Sequence, residues 1–302
     1  MQRVTMGMMA QRSLVDLTGA YDRMSKTQEE LSSGKRITNP SDDPYGAGHA
    51  VQLSSDIAGL NAYDRNINDG TAWTQASDSA LMNMQNLVQR ARELLVEAGN
   101  DTTGQAGRDA TAAEIDQLVD AVKQEGNTQY AGQYVFGGTK TTTTPYTIGG
   151  PDTFNGNTGT ISREIGPSTT IQVNSDVSSV LGSGLGVDNG LLSTLRSISQ
   201  DLRSGTAAGA NALRGTDLAN LDSNIDALST LQANVGATEN RLQLASSRIS
   251  DLQSSTTKLL SLTQDVDFAK AATDYSTEQA SYQAALRASA NIIQSSLLDF
   301  LK

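Results

Sequence analysis

The chain has 302 residues, long enough for roughly two or three domains and a sizeable core. It contains 22 Lys and Arg against 33 Asp and Glu, which gives a net charge of −11. This charge argues against a nucleic-acid partner, because binding phosphates requires clustered cations. The absence of cysteine excludes disulfides and cysteine nucleophiles, and the single histidine leaves no imidazole-rich metal site.

The N-terminal region shows no secretion signal. It has no continuous apolar stretch of signal-peptide length and no small-residue cleavage site. No window of the chain approaches the roughly 18 apolar residues of a membrane-spanning helix. We therefore expect no membrane insertion, and either a soluble cytoplasmic protein or one exported by a route without a cleaved signal.

Proline and glycine divide the chain into helical flanks and a glycine-rich middle. All five prolines lie between Pro40 and Pro167, so the flanks 1–39 and 168–302 have none, as long uninterrupted helices require. Aromatic residues make up 4% of the chain, which favours slim aliphatic packing layers over one bulky core.

The first helical flank carries an apolar stripe with the alternating three- and four-residue spacing of a heptad. Its positions are Leu14, Leu17, Tyr21, Met24, Gln28 and Leu31. Ser33 and Gly34 are expected to end this helix, and residues 39–44 mark a break before the next one. Further helical runs are predicted over residues 53–67, 81–95 and 115–122.

Past residue 130 the pattern changes from helix to strand. Short β-branched or aromatic runs at 133–138, 144–148, 160–165 and 170–174 are bounded by Gly, Pro and Asn. The pair Asn155-Gly156 signals a tight turn. We predict a small antiparallel β domain, with residues 182–190 as a flexible return to the helical part.

Helix resumes at Leu191, and two more stripes with heptad spacing follow. One extends from Leu231 to Leu259. The last includes polar members, so its helix would be marginal alone and should pair with a partner. Its large apolar positions are Tyr275, Tyr282, Leu286, Ile293 and Phe300. The predicted fold is mainly α: an elongated rod of paired N- and C-terminal helices, coiled-coil-like, with a small antiparallel β domain inserted in the middle.

No cluster of residues predicts catalysis. His49 has acids and serines nearby, but the G-x-S-x-G elbow of a Ser-His-Asp hydrolase is missing. Asp42 and Asp43 lack EF-hand ligand spacing and fit better as acids at the positive end of a helix dipole. The G-x-G-x-G of residues 182–186 follows no strand and precedes no phosphate-binding lysine. We expect no enzyme activity, no catalytic residue, no metal site and no cofactor.

Several stretches resemble the flagellin family. Residues 31–53, LSSGKRITNPSDDPYGAGHAVQL, are similar to the family's N-terminal signature, and residues 60–102 contain its R-N-x-N-D-G step followed by Q-R-x-R-E-L. DVDFAKAATDY, at 265–275, resembles the step that opens the family's C-terminal helix. The matching positions of the second stretch are Arg65, Asn66, Asn68, Asp69, Gly70, Gln89, Arg90, Arg92, Glu93 and Leu94.

Two features resemble the hook-associated branch of this family more than its filament subunits. The tail at 282–301 ends in SLLDFL, without the proline-containing ending usual in filament flagellins, and QYVFGGTKTTTTPY at 133–146 looks like the entry to a single small outer domain. The resemblance implies three layers. They are a terminal coiled-coil layer at 1–42 and 265–302, a helical rod layer at 43–132 and 189–264, and an outer β domain at 133–188.

The resemblance also implies a structural, extracellular flagellar subunit, exported unfolded by the flagellar type III apparatus. Its expected partners are further copies of the chain in a ring or helical layer, a hook-side hook-associated protein, filament-side flagellin and an export chaperone. The implied function is an adaptor at the hook–filament junction on which flagellin polymerises. The alternative is a filament or minor flagellin of the same fold. A hydrolase carried on an insert would need a metal-ligand cluster, which the sequence lacks.

Two groups of residues are expected to carry assembly. The first, which we call the terminal seams, comprises Leu14, Leu17, Tyr21, Met24, Leu31, Tyr282, Leu286, Ile293 and Phe300. The second, the rod-layer segment, comprises Gln89, Arg90, Arg92, Glu93 and Leu94, and the resemblance places it in the layer that flagellins use for subunit packing.

Overall fold

The computed structural model describes residues 6–100 and 104–300, with the side chains of residues 8, 9, 11–100 and 104–290. In chain order its elements are α1 (Met6–Ser33), α2 (Pro44–Ala98), α3 (Gln105–Gly126), β1 (Gln129–Tyr130), β2 (Gln133–Tyr134), β3 (Ser162–Gly166), β4 (Thr169–Gln172), α4 (Ser178–Leu181), α5 (Leu191–Ser204), α6 (Ala207–Arg214), α7 (Thr216–Gln264) and α8 (Phe268–Phe300). The predicted class, mainly α with a small antiparallel β region in the middle, is confirmed.

The contacts divide the chain into two units. Residues 1–59 and 252–302 form a terminal unit, and residues 60–251 form a central unit. Residues of α2 and α7 belong to both. The three-layer division implied by the family resemblance stays a prediction.

In the terminal unit, the first and last helices pair, as the sequence predicts. The rings of Tyr21 and Tyr282 lie 5.9 Å apart between their centroids. The Thr27 hydroxyl donates a hydrogen bond of 2.7 Å to the Glu278 carboxylate. After α1, Gly34 adopts a left-handed φ of +71°, which ends the helix at the predicted residue.

α2 is one continuous helix of 55 residues, whereas the sequence predicts two separate runs. The interval between them is rich in small polar residues, which interrupt the apolar pattern. Thr74 and Ser77 are nevertheless buried, because their hydroxyls donate to the carbonyls of Gly70 and Trp73 at 3.1 and 3.0 Å. These local bonds satisfy the polar groups inside the core, so the helix continues.

The strands are shorter than predicted and form two separate pairs. β1 pairs with β2, and β3 pairs with β4, both antiparallel. The predicted strand at 144–148 is absent from the described residues, because the Asn127 side chain bonds both the N–H and the carbonyl of Tyr146, at 2.9 and 2.7 Å, in place of a partner strand. No strand flanks Asn155-Gly156 in the part of the chain described, so that pair is not a hairpin turn.

The middle segment shares its core with the helices of the central unit. Val135, Phe136 and Tyr146 are fully buried in one cluster with apolar side chains of α2, α3, α5 and α7. The Tyr146 hydroxyl also donates to the Gly182 carbonyl at 3.0 Å. The β region is therefore packed into the central unit.

Candidate assembly surfaces

The terminal seams leave much of their apolar surface uncovered in the single chain. Leu14 is 56% exposed, Tyr21 53% and Leu286 41%, although all three follow the heptad spacing. Leu17, Met24, Leu31 and Tyr282 are half-buried. Ile293 and Phe300 lie outside the described side chains. Contiguous exposed apolar residues on a soluble protein are typical of a surface that another chain covers.

A second apolar surface of the terminal unit was missed by sequence reasoning. Tyr45 and Val51 on α2 are 86% and 71% exposed. Val51 also lines a groove of about 240 Å³ with Ile37, Pro40 and Ala50. Tyr45 and Val51 lie off the apolar stripe of α2 that buries Leu53. The heptad spacing of that stripe therefore did not predict an exposed apolar surface at these two positions.

The two acids before α2 brace the turn beside this groove. One Asp42 oxygen accepts the backbone N–H of Asn39 at 2.9 Å, and the other accepts from Lys26 at 3.1 Å. These contacts, the amide of Asn39 first, lower the pKa of Asp42 to about 2. Asp43 accepts the N–H of Gly46 at 2.9 Å in the first turn of α2, so it is the acid that occupies the predicted place at a helix start.

The rod-layer segment presents four polar side chains and one apolar anchor. Gln89, Arg90, Arg92 and Glu93 are exposed, and Leu94 is buried in the core. Four of the five motif residues therefore face solvent, and Leu94 anchors this part of α2 in the core.

Ion pairs hold the two arginines of this segment against neighbouring helices. Arg90 contacts Glu114 of α3 at 2.9 Å, and Arg92 contacts Asp222 of α7 at 2.7 Å. The same hydrogen bonds and charges raise the pKa of both guanidinium groups. Between α2 and α7 runs a polar groove of about 420 Å³, lined by Gln89, Arg92, Glu93, Asp222, Ile225 and Asp226. Because exposed ion pairs add little stability, these contacts orient the two arginines more than they stabilise the fold.

The R-N-x-N-D-G step fixes the β region to α2. The Asn66 side chain donates to the Glu164 carbonyl at 2.9 Å, and Asp69 pairs with Arg163 at 2.8 Å. At Gly70, an added Cβ would lie 3.1 Å from Val173, which leaves no room for a larger residue without a shift. The motif therefore positions the β3–β4 hairpin.

A buried network of charged side chains holds the loop before Asp152 in place. Sequence reasoning did not predict this network. Lys123 is completely buried, pairs with Asp152 and donates to the Gly150 carbonyl at 2.9 Å. Arg196 bridges Asp152 and Asp116 at 3.1 and 3.0 Å. Burial alone would raise the pKa of Asp152, but hydrogen bonds from Arg196 and Lys123 outweigh it and hold that pKa below its ordinary value.

Neither a cluster of metal-ligating side chains nor a membrane-spanning helix is found among the described residues. No group of three or more His, Asp and Glu among them is placed to hold a metal ion, and His49 is exposed on α2. None of the helices in the described ranges is both long and apolar enough to cross a membrane.

Known proteins share this arrangement. Models described as the bacterial flagellin N-terminal and C-terminal helical regions match residues 4–141 and 218–301. The flagellin of Bacillus subtilis is 27% identical over 99% of this chain and 100% of its own. Flagellar hook-associated protein 3 of Escherichia coli is 27% identical over 95% of each chain. The crystal structure of flagellar hook-associated protein 3 from Legionella pneumophila gives a TM-score of 0.60 at 16% identity, over 69% of this chain and 97% of that one.

Proposed function

We propose that this chain, which belongs to the flagellin family, is the structural adaptor between hook and filament of a bacterial flagellum. The match to hook-associated protein 3 over nearly the whole of both chains carries the proposal. The shared fold of the solved relative supports it. Flagellin would polymerise on the layer that this chain forms.

The proposed partners follow from the two candidate surfaces. Exposed seam residues such as Leu14 and Leu286 would pack against further copies of the chain and against the hook-side protein. The rod-layer segment, with its polar groove beside Asp222, would contact neighbouring subunits, including flagellin. An export chaperone would cover the apolar ends before assembly, and the chain would reach the flagellum by export without a cleaved signal.

The proposed role is structural and includes no catalysis. The acids and bases that the structure brings together serve as braces: Lys123 and Arg196 neutralise Asp152, and Lys26 contacts Asp42. A general acid or base must reach a substrate, whereas these charged side chains contact one another. Their ion pairs therefore support a structural role.

The location of the chain tests the junction role. A functional copy with an epitope inserted at the exposed residue Thr142 is labelled with gold on isolated hook–filament particles. We expect a narrow band of label between hook and filament. Label along the whole filament would contradict the proposal and support the alternative, a filament or minor flagellin.

That alternative rests on one specific observation. The flagellin of Bacillus subtilis matches this chain over its entire length at the same identity as the hook-associated relative. Since both relatives match at 27% identity, the position and abundance of the subunit in the flagellum are the measurements that separate the two roles.

A further inference from the structure

A buried acid and a half-buried one lie where α5, α6 and α7 meet. Asp217, in the first turn of α7, is 4% exposed, and its Oδ2 atom has no hydrogen-bond partner. Its side chain lies within hydrogen-bonding reach of Asp201 on α5. Two ionised carboxylates in such a position repel each other, and the buried carboxylate of Asp217 is too poorly solvated to offset the repulsion.

α6 packs against Asp201. A Cβ added at Gly209 of α6 would lie 2.9 Å from the Asp201 carbonyl oxygen and 3.4 Å from its Oδ1. Before α6, Gly205 has a left-handed φ of +62°, and Gly215 follows its end. The short helix is therefore held between two glycines, in contact with one of the two acids.

The neighbouring helices carry several further charged groups. Arg203 on α5 pairs with Asp116 of α3, and the Arg214 Nε of α6 donates to the Gly99 carbonyl at 2.7 Å. On α3, Asp109 accepts from Gln105 at 2.7 Å, and Arg108 has a buried Nε atom without a hydrogen-bond partner. Burial first, and then the charge and hydrogen bond of Asp201, raise the pKa of Asp217 to about 6.

We propose that Asp217 keeps its proton in the folded chain and, by donating a hydrogen bond to Asp201, forms a pH-sensitive catch for α6. With the proton in place, a carboxylic acid donates to a carboxylate and holds the end of α5 to the start of α7 around α6. Loss of the proton leaves two adjacent negative charges and loosens α6. This inference is independent of the junction role.

The catch would control a neighbouring surface groove. Leu213 and Arg214 of α6 line a groove of about 350 Å³ together with Leu95, Val96 and Leu218. Because α6 supplies two of these lining residues, its loosening would change the shape of the groove.

The direction of the pH effect follows from the raised pKa. In the folded chain the proton is held up to a pH of about 6, whereas an exposed Asp releases it near 3.8. The stabilisation is thus fully present below 3.8 and is lost as the pH rises through about 6. α6 opens more readily at neutral than at mildly acidic pH.

Hydrogen exchange on the full chain tests the catch. Protection of the amides of residues 205–216 is compared at about pH 5 and about pH 7.5, corrected for the intrinsic exchange rate, and we expect about tenfold more opening at the higher pH. Asp217→Asn should remove this difference, since the amide cannot ionise. Asp251→Asn, at an exposed position of the same helix, should keep it.

Two results would overturn the proposal. One is equal protection of residues 205–216 at both pH values in the unaltered chain. The other is a tenfold change that persists in Asp217→Asn. If that variant does not fold, Asp201→Asn decides the question. Without the neighbouring charge its pH difference should be smaller than in the unaltered chain and in Asp251→Asn, and an undiminished difference would overturn the proposal.

Discussion

At the scale of single residues, the central unit contains a buried charge, on Lys123, that its sequence pattern does not predict. Its side chain is wholly buried and its ammonium group is matched by Asp152 and by carbonyl oxygens. A lysine in a helical sequence pattern is expected on the surface, and its partner lies in a distant loop, so no spacing rule could predict the pair.

Lys123→Met is expected to destabilise the central unit by about 3–5 kcal/mol, because it leaves the Asp152 carboxylate partly unmatched in the interior. Urea unfolding at neutral pH measures the loss. Lys140→Met, at an exposed lysine of the same unit, serves as the control and should change the unfolding free energy by less than about 1 kcal/mol. Equal effects of the two substitutions would show that the buried network contributes nothing.

The same network makes the central unit sensitive to acid. Burial opposes ionisation of Asp116, yet hydrogen bonds from Arg203 and Ser199 lower its pKa below the ordinary 3.8. The stabilisation is therefore present above 3.8 and is lost as the pH falls through the lowered value. We expect the urea midpoint to fall between about pH 4 and about pH 2, with a smaller fall in Asp116→Asn. An identical fall in both chains would exclude this carboxylate as a cause.

At the scale of elements, the heptad stripes predicted helices and their pairing well, because apolar periodicity reports directly on a packed helix face. α1 ends at the predicted residue and pairs with α8. The strands were predicted less well. Tyr146 has the residue type of a strand but takes its hydrogen bonds from the side chain of Asn127, which no local pattern could indicate.

The uncovered stripe of α8 gives a prediction about assembly. Leu286 is 41% exposed, so Leu286→Ala should change the stability of the single chain by less than about 1 kcal/mol. If assembly buries this side chain, the same substitution costs about 2–5 kcal/mol per subunit there, and incorporation into hook–filament particles should fall sharply. Gln283→Ala, at an exposed polar position of the same helix, is the control. Normal incorporation of Leu286→Ala would contradict the assignment of this seam.

The shared core of the central unit gives a second prediction for an element. Phe136 is 1% exposed and packs in the same cluster as the helices, so Phe136→Ala should destabilise the helices together with the β region, by about 3–5 kcal/mol. Urea unfolding followed by far-UV circular dichroism should then show a single helical transition at a lower urea midpoint. The control Thr142→Ala, at an exposed position, should leave that midpoint unchanged. An unshifted helical transition in Phe136→Ala would indicate that the middle segment folds as a separate outer domain.

For the whole molecule, the motifs near the two ends of the sequence, taken in order, indicated the right family. The proline-free flanks are a property of the whole sequence, and they correctly favour long helices. The position of the groove residues, by contrast, depends on which faces α2 and α7 turn to each other near Arg92 and Asp222. That relation arises from packing at long range and is not encoded in either helix alone.

The junction role is tested most directly by the fate of flagellin when this chain is absent. Flagellin in the culture supernatant and flagellin attached to hooks are quantified in a strain lacking the gene, and in the same strain carrying either the intact gene or Leu286→Ala. The junction role predicts bare hooks and unpolymerised flagellin in the medium without the gene, reversed by the intact chain and less fully by Leu286→Ala. Filaments of normal length on the hooks of the deletion strain would contradict it.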